Sequence, residues 1–254
     1  MDKPKRLVFL GQKKIGFLCL QFLVAQQQNL QIEIIAADIS SGNTALQTSG
    51  IANDLQNLCK VNQIPIINHP NQIPETDYII SVQYHRILNQ THIDKAKKLA
   101  LNLHLAPLPE YRGCNQFSFA IIDQATEFGV TLHQLETGID AGAIIAESRF
   151  TIPQNCWVTT LYDLSFNAGI ALFETTMPSI LSGNYKLTPQ HLLVEQRSTT
   201  YHHRHEIEQL KQIDLNWEVE KIERHIRATY FPPFEPPYAL IAGQKVYFTT
   251  NAPQ

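Results

Sequence analysis

The sequence predicts a protein of the α/β class with a mostly parallel sheet and a small C-terminal α+β appendage. Apolar runs of strand length at residues 6–10, 32–37 and 78–82 are separated by segments whose apolar residues recur at helical spacing. Such a rhythm of strands and helices is typical of a Rossmann-like, parallel sheet. The composition changes near residue 187, which predicts a main domain over residues 1–186 and a small subdomain of a helix and a β-hairpin over residues 187–254.

The periodicity also predicts the remaining elements. Helices are predicted over residues 51–60, 91–99, 158–181 and 218–228, further strands over 64–67, 101–105, 130–135 and 143–150, and hairpin strands over 239–242 and 245–248. The helix over 218–228 is expected to turn Val219, Ile222 and Ile226 inward. The first turn, GQKKIG at residues 11–16, lacks the pattern GxGxxG, so a generic strand–helix–strand start is favoured over a nicotinamide dinucleotide site.

Composition and charge restrict the functional classes. The 254 residues are 44% hydrophobic, which is sufficient for one main core, and the formal net charge of −3 does not favour a nucleic-acid partner. Cysteines at 19, 59, 114 and 156 are scattered and form no CxxC, which indicates reduced thiols in a cytoplasmic protein. The histidine-rich stretch from His202 to His205 lacks ligands at metal spacing, so no metal is expected. The apolar run near the N-terminus is too short for a signal peptide or membrane span, so no membrane partner is expected.

The most informative stretches are residues 101–113 and 135–142. Leucines alternate with Asn102 and His104, so these two side chains share one face of a strand that Pro107 and Pro109 end. Ligands of open α/β sheets bind at the carboxyl ends of strands. Asp140 lies on a polar loop between glycines. An amide, an imidazole and a carboxylate suit acyl transfer, although a structural Asn, a half-buried His and a turn Asp explain the spacing equally well.

A family resemblance favours the catalytic interpretation. The matching segments are Asn102-Leu103-His104, Pro109, Tyr111-Arg112-Gly113, Gly129-Val130-Thr131 and Gly138-Ile139-Asp140-Ala141-Gly142. In order and spacing they resemble the formyltransferases that use 10-formyltetrahydrofolate, which act on methionyl-tRNA, phosphoribosylglycinamide or amino sugars. The resemblance covers about the first two-thirds of the chain and implies the formyltransferase fold. It also implies that Asn102, His104 and Asp140 are catalytic.

The resemblance implies two binding regions as well. Residues implied in binding the folate are Tyr84, His85, Arg86, Ile87, Leu88, Gly138 and Ile139. Residues implied in binding the second substrate are Tyr111, Arg112, Asn115 and Gln116. Alternatively, Ile87 and Leu88 are ordinary core residues and Arg112 is a structural clamp.

The acidic balance and the short appendage best resemble the sugar N-formyltransferases. The implied substrate is a nucleotide-linked aminodideoxy sugar of the UDP- or dTDP-4-amino-4,6-dideoxyhexose type. The implied setting is the cytoplasm of a bacterium that makes lipopolysaccharide or another surface glycan, and homodimer formation is left open. The alternatives are a 10-formyltetrahydrofolate hydrolase, a phosphoribosylglycinamide-type formyltransferase and a non-catalytic Rossmann-like binding module.

Overall fold

The computed structural model describes residues 3–40 and 50–249 of the chain. By its internal contacts the chain forms two compact units. Unit 1 comprises Met1–His104, Thr131–Glu147 and Gly169–Leu192, and unit 2 comprises Leu105–Val130, Ser148–Ala168 and Leu193–Gln254. The division between these units does not fall between residues 186 and 187. The boundary predicted there from the composition stays a prediction. Within the described residues, no helix has both the length and the apolarity to cross a bilayer.

The secondary structure follows the predicted rhythm. The strands are β1 (Lys5–Gly11), β2 (Ile32–Asp38), β3 (Thr76–Val82), β4 (Ala96–His104), β5 (Tyr111–Gly113), β6 (Glu127–Gln134), β7 (Ile144–Thr151), β8 (Thr200–His202), β9 (Tyr238–Ile241) and β10 (Gln244–Tyr247). The α-helices are α1 (Lys13–Ala25), α2 (Gln27–Leu30), α3 (Gly50–Val61), α4 (Gln90–Ile93), α5 (Gln116–Ile122), α6 (Val158–Leu181), α7 (Val194–Arg197), α8 (Ile207–Lys211) and α9 (Val219–Thr229). Short 3₁₀ turns cover Pro70–Gln72, Gln190–Leu192 and Arg204–Glu206.

The main sheet has the strand order β2-β1-β3-β4-β6-β7. In unit 1, β1 pairs in parallel with β2 and β3, and β3 pairs in parallel with β4. β4 then pairs antiparallel with β6 from Thr131 to Gln134. Parallel strands covered on both faces consist of nearly continuous apolar residues. The apolar core on one face of this sheet includes Val8, Leu10, Ala36, Ile79 and Ala100. Full burial of each larger aliphatic side chain stabilises the fold by about 1.5–3 kcal/mol. The prediction of a mainly parallel α/β sheet is confirmed.

Unit 2 has a separate apolar core. It includes Tyr111, Ala120, Phe128, Leu161 and Ala228, which come from β5, α5, β6, α6 and α9. β5 and β8 form a short parallel pair, and β9 and β10 form the predicted hairpin.

Three local predictions were wrong. The helix predicted over residues 91–99 is limited to α4, because β4 begins at Ala96 and pairs with β3, so tertiary pairing overrides the helix propensity of this segment. The strand predicted over residues 64–67 is only an isolated bridge between Ile66 and Ala37, since Pro65 has no N–H to extend a ladder. Val219 is 65% exposed rather than inward, and the buried residues of α9 are His225, Ala228 and Thr229.

Candidate active site

Two of the predicted catalytic residues lie at the carboxyl end of β4. Asn102 and His104 are two positions apart on the strand, so their side chains lie on the same face of the sheet. The antiparallel ladder with β6 sets Asn102 directly opposite His133, and His104 opposite Thr131. Side chains that stand directly opposite each other in such a pair are in contact. The register therefore adds His133 to the two predicted residues.

Asp140 lies on the loop that connects β6 to β7. The base of this loop is closed by a 2.8 Å hydrogen bond from the Gln134 N–H to the Ala143 carbonyl. The loop passes so close to β6 that a Cβ atom on Gly142 would lie 1.9 Å from the Gln134 carbonyl oxygen. Asp140 itself has a φ of 49°, in the left-handed region that residues with side chains rarely adopt. Tight packing and an unusual backbone conformation thus define where the carboxylate points.

The Asp140 carboxylate lies between two histidines. Its Oδ1 is 3.6 Å from Nδ1 of His104 and 3.5 Å from Nε2 of His133. The side chains are largely withdrawn from water, with exposed fractions of 13% for Asp140, 8% for His104 and 2% for His133. Charge interactions are stronger away from water. We call the four residues joined by these contacts the polar cluster: Asn102, His104, His133 and Asp140. The structure thus brings the three predicted residues together, and their catalytic role stays a prediction.

The contacts of His133 define its tautomer. Its Nδ1 lies 2.8 Å from the backbone carbonyl oxygen of Gln134, which can only accept, so Nδ1 carries a hydrogen. In the neutral ring Nε2 is then the acceptor, and it lies 3.2 Å from Nδ2 of Asn102. Asn102 therefore directs its NH₂ group towards His133 and retains a second N–H for another acceptor. His133 is not among the residues predicted from the sequence, although its position on a strand close to the Asp140 loop is a usable signal.

The predicted folate residues Tyr84 and Arg86 are anchored to Asp38. The Tyr84 hydroxyl donates to Oδ2 of Asp38 at 2.6 Å, and Nη1 of Arg86 lies 3.2 Å from the same oxygen. Burial and the adjacent carboxylate raise the pKa of Tyr84, so its hydroxyl keeps the proton that it donates. Arg86 also donates to the Asn68 carbonyl at 2.6 Å. These bonds hold the segment after β3 beside the carboxyl end of β2.

The same segment presents backbone groups suited to a planar heterocycle. Among the described residues, no backbone hydrogen bond involves the N–H or C=O of Arg86, Ile87 or Leu88. The Ile87 side chain is 76% exposed, whereas Leu88 is buried, so the core alternative holds for Leu88 alone. Burial, with a smaller contribution from Arg86, lowers the pKa of His85. On the Asp140 loop, Ile139 is 39% exposed. Apolar side chains beside backbone donors and acceptors are suited to binding a planar heterocycle, and the folate-binding role of these residues stays a prediction.

Gln12 is a further buried polar residue, and it is not among those predicted from the sequence. It follows β1, whose carboxyl end lies at the same edge of the sheet as that of β3. The residue is 8% exposed, and its Oε1 has no hydrogen-bond partner among the described residues. A buried acceptor without a partner is unfavourable by about 1–3 kcal/mol, so a donor group of a ligand would satisfy it.

The residues predicted to bind the second substrate lie in unit 2. Tyr111 packs in the core of that unit, and its hydroxyl donates to Asp123 at 3.3 Å. Arg112 is half-buried on β5. Asn115 precedes α5 and donates to the carbonyls of His203 and Arg204 at 3.0 and 3.1 Å, and Gln116 begins that helix. Their role in substrate binding stays a prediction.

The histidine-rich stretch also lies in unit 2. Nδ1 of His202 is 2.9 Å from Oε2 of Glu206, and the His202 ring stacks on Phe119. Within residues 3–40 and 50–249, no group of three or more His, Cys, Asp or Glu side chains is arranged to hold a metal ion.

Known proteins resemble this chain over the part that contains the polar cluster. Residues 67–174 match the model of the Formyl transferase family, and this range contains the polar cluster. A GDP-perosamine N-formyltransferase from Brucella melitensis is 29% identical over 177 residues, which are 70% of this chain and 65% of that protein. A methionyl-tRNA formyltransferase from a Geobacillus species is 32% identical over 179 residues, 70% of this chain and 54% of that protein. The chain thus spans less than two-thirds of the length of either relative.

The fold comparison extends further along the chain. The crystal structure of an N-formyltransferase from Helicobacter canadensis in complex with folinic acid and dTDP-3-aminofucose has a TM-score of 0.75 and 24% identity, covering 94% of this chain and 85% of that one. At this identity the likeness shows the fold. The chain therefore resembles formyltransferases in sequence over residues 67–174 and in fold over most of its length, which confirms the resemblance that its motifs predict.

Proposed function

We propose that the protein is an N-formyltransferase. It transfers the formyl group of 10-formyltetrahydrofolate to the free amine of a nucleotide-linked aminodideoxy sugar, of the UDP- or dTDP-4-amino-4,6-dideoxyhexose type. The observation that carries the proposal is the convergence of His104 and Asp140, with Asn102 joined to them through His133, within the range that matches the Formyl transferase family. The GDP-perosamine N-formyltransferase and the structural neighbour in complex with dTDP-3-aminofucose support an amino sugar as the acceptor.

Asn102 and His104 stabilise the charge that develops on the formyl oxygen. When the neutral amine attacks the formyl carbon, a new C–N bond forms and the carbonyl electron pair moves to the oxygen. The Asn102 amide and the His104 imidazole lie on one face of β4 and donate hydrogen bonds to that oxygen. A well-placed donor of this kind contributes about 3 kcal/mol.

Asp140 accepts the proton that the attacking nitrogen loses, directly or through a water molecule. The tetrahedral arrangement then collapses, the bond from the formyl carbon to the folate nitrogen breaks, and that nitrogen takes up a proton. One proton thus moves from the amine to the departing tetrahydrofolate. Asp140 also orients His104, since its carboxylate lies 3.6 Å from Nδ1 of the imidazole. The ring that faces this carboxylate with Nδ1 and donates to the formyl oxygen from Nε2 is the form in which both nitrogens carry a hydrogen.

The two folate-binding segments belong to unit 1, as does the polar cluster. Tyr84 and Arg86 hold the segment after β3 through Asp38, and the backbone groups of residues 86–88 bind the pterin ring. Exposed Ile87, with Gly138 and Ile139 of the Asp140 loop, supplies further contacts.

Tetrahydrofolate release, measured with different acceptors, tests the proposal. We expect release only when a nucleotide-linked amino sugar is added, together with a formylated sugar in the mass spectrum. UDP-, dTDP- and GDP-linked amino sugars, glycinamide ribonucleotide and a reaction without any amine are compared. Release at the same rate without an amine would indicate a hydrolase. Formylation of glycinamide ribonucleotide would indicate the phosphoribosylglycinamide type. Folate binding without turnover would indicate a non-catalytic module.

A further inference from the structure

Gln190 is a buried polar residue in a segment of the chain whose other side chains are in contact with solvent. It is 7% exposed and begins the short 3₁₀ turn that ends at Leu192. Every other residue from 182 to 199 is at least partly exposed. A glutamine is rarely buried unless its amide is hydrogen-bonded, so its partners indicate what it does.

The partners of Gln190 are two carbonyls of the Asp140 loop. Its Nε2 donates to the backbone oxygen of Asp140 at 2.7 Å and to that of Gly142 at 2.8 Å. Both acceptors are carbonyl oxygens, so only the NH₂ end of the amide can face them. Its two N–H groups are thus both used, and the side chain spans the loop on either side of Ala141.

These bonds stabilise a loop whose backbone conformation is unfavourable at Asp140. The left-handed conformation of Asp140, at a φ of 49°, is unfavourable for a residue with a side chain and persists only where the surroundings impose it. Two 2.8 Å hydrogen bonds between Ile144 and Thr188 bring the segment before Gln190 to the end of the same loop. The backbone just before Gln190 is therefore held in place, so the Gln190 side chain starts from a defined position.

We propose that Gln190 is a positioning residue that holds the backbone of the Asp140 loop, so that the carboxylate faces His104 and His133. The inference rests on the proposed function, in which Asp140 accepts the proton. Gln190 lies 50 positions from Asp140 in sequence and outside residues 67–174, the range that matches the Formyl transferase family. A positioning contact of this kind has large effects, because a shift of about 1 Å at a reacting group lowers a rate by about a hundredfold.

The test uses Gln190→Met, which keeps the length of the side chain and removes both N–H groups. Gln196→Met is the matched control, since Gln196 is an exposed glutamine on α7, a short distance further along the sequence. Hydrogen exchange is measured at the amides of Ala141 and Ile144, which report opening of the loop. Turnover is measured with 10-formyltetrahydrofolate and the panel of nucleotide-linked amino sugars.

We expect Gln190→Met to speed exchange at both amides and to lower kcat by about 10- to 100-fold, while Gln196→Met changes neither. Gln190→Glu has a carboxylate in place of the two donors and should behave in the same way. This second variant keeps the test decisive if the methionine variant does not fold. In an Asp140→Ala background, Gln190→Met should leave the residual turnover within about twofold, because no carboxylate remains to position.

Three results would overturn the inference. These are unchanged exchange in Gln190→Met, an unchanged kcat in that variant, and an equal loss of turnover whether or not Asp140 is present. The last result would mean that Gln190 only supports the fold. If the wild-type protein formylates no amino sugar, the proposed function fails, and the exchange comparison still decides whether Gln190 holds the loop.

Discussion

Replacing His133 by Phe separates its effect on catalysis from its effect on stability. The aromatic ring is retained, and both ring nitrogens are lost. The variant therefore loses the 2.8 Å bond to the Gln134 carbonyl and the 3.2 Å bond from Asn102. At about 1 kcal/mol for each hydrogen bond, we expect a loss of about 2 kcal/mol in the free energy of unfolding. For a chain of this size that corresponds to a fall of about 4–8 °C in Tm.

The catalytic effect of His133→Phe should exceed what instability explains. Without its acceptor on His133, the Asn102 amide can rotate away from the formyl oxygen, so part of the roughly hundredfold contribution of a positioned donor is lost. We expect kcat per folded molecule to fall about 10- to 100-fold with little change in either KM, as for an interaction made in the transition state.

Steady-state kinetics and thermal unfolding on the same preparation check this prediction. The single variants His133→Phe and Asn102→Ala are compared with the double variant. If His133 acts through Asn102, the double variant should be little slower than Asn102→Ala alone. A lower Tm with normal kcat per folded molecule would refute the reasoning, and so would losses that multiply in the double variant.

Three further predictions concern other parts of the chain. Gly142→Ala should lower kcat strongly, because the new Cβ would lie 1.9 Å from the Gln134 carbonyl oxygen. Gly50→Ala, whose Cβ would meet no atom within 4 Å, should leave kcat unchanged, and steady-state kinetics on both variants checks this. Burial lowers the pKa of His225, so below the ordinary value of about 6.5 the unfolded chain binds a proton that the folded protein excludes. Wild-type stability should therefore fall as the pH drops from about 7 to 5, more steeply than that of His225→Gln by up to about 1.4 kcal/mol per pH unit; equal slopes in denaturant titrations would contradict this. Cys114 is half-buried while the other three cysteines are buried, so a thiol reagent should label it first in the native protein, as peptide mapping would reveal.

Much of unit 1 was predictable because its physical causes are local in sequence. β1, β2 and β3 each contain a mostly apolar run, as is typical of strands covered on both faces. The placement of Asn102 and His104 on one face of a strand followed from the alternation of leucines and polar residues alone. The start of β4 was not predictable, because Ala96 and the two lysines after it have no strand signal of their own. Ala96 belongs to the strand because it pairs with Thr76 of β3.

The rest of the site depends on register and on distant contacts. Which residue of β6 faces Asn102 is decided by the ladder between the two strands, and a shift of one position would have turned His133 to the other face. Gln190 gives no local signal, since its partners lie 48 and 50 positions away. The role of Asp38 in holding Tyr84 and Arg86 likewise depends on the sheet, which brings the carboxyl ends of β2 and β3 to the same edge on either side of β1.

The polar cluster is proposed to transfer a formyl group to an amine. The most direct test is the rate of formylated sugar production by wild-type protein and by His104→Ala, measured side by side at saturating substrates with the folded fraction of each. We expect product from the wild type and a loss of about a hundredfold or more in His104→Ala, the scale for removing a positioned oxyanion donor. Equal rates per folded molecule, or no formylated product from the wild type with any amino sugar, would contradict the claim.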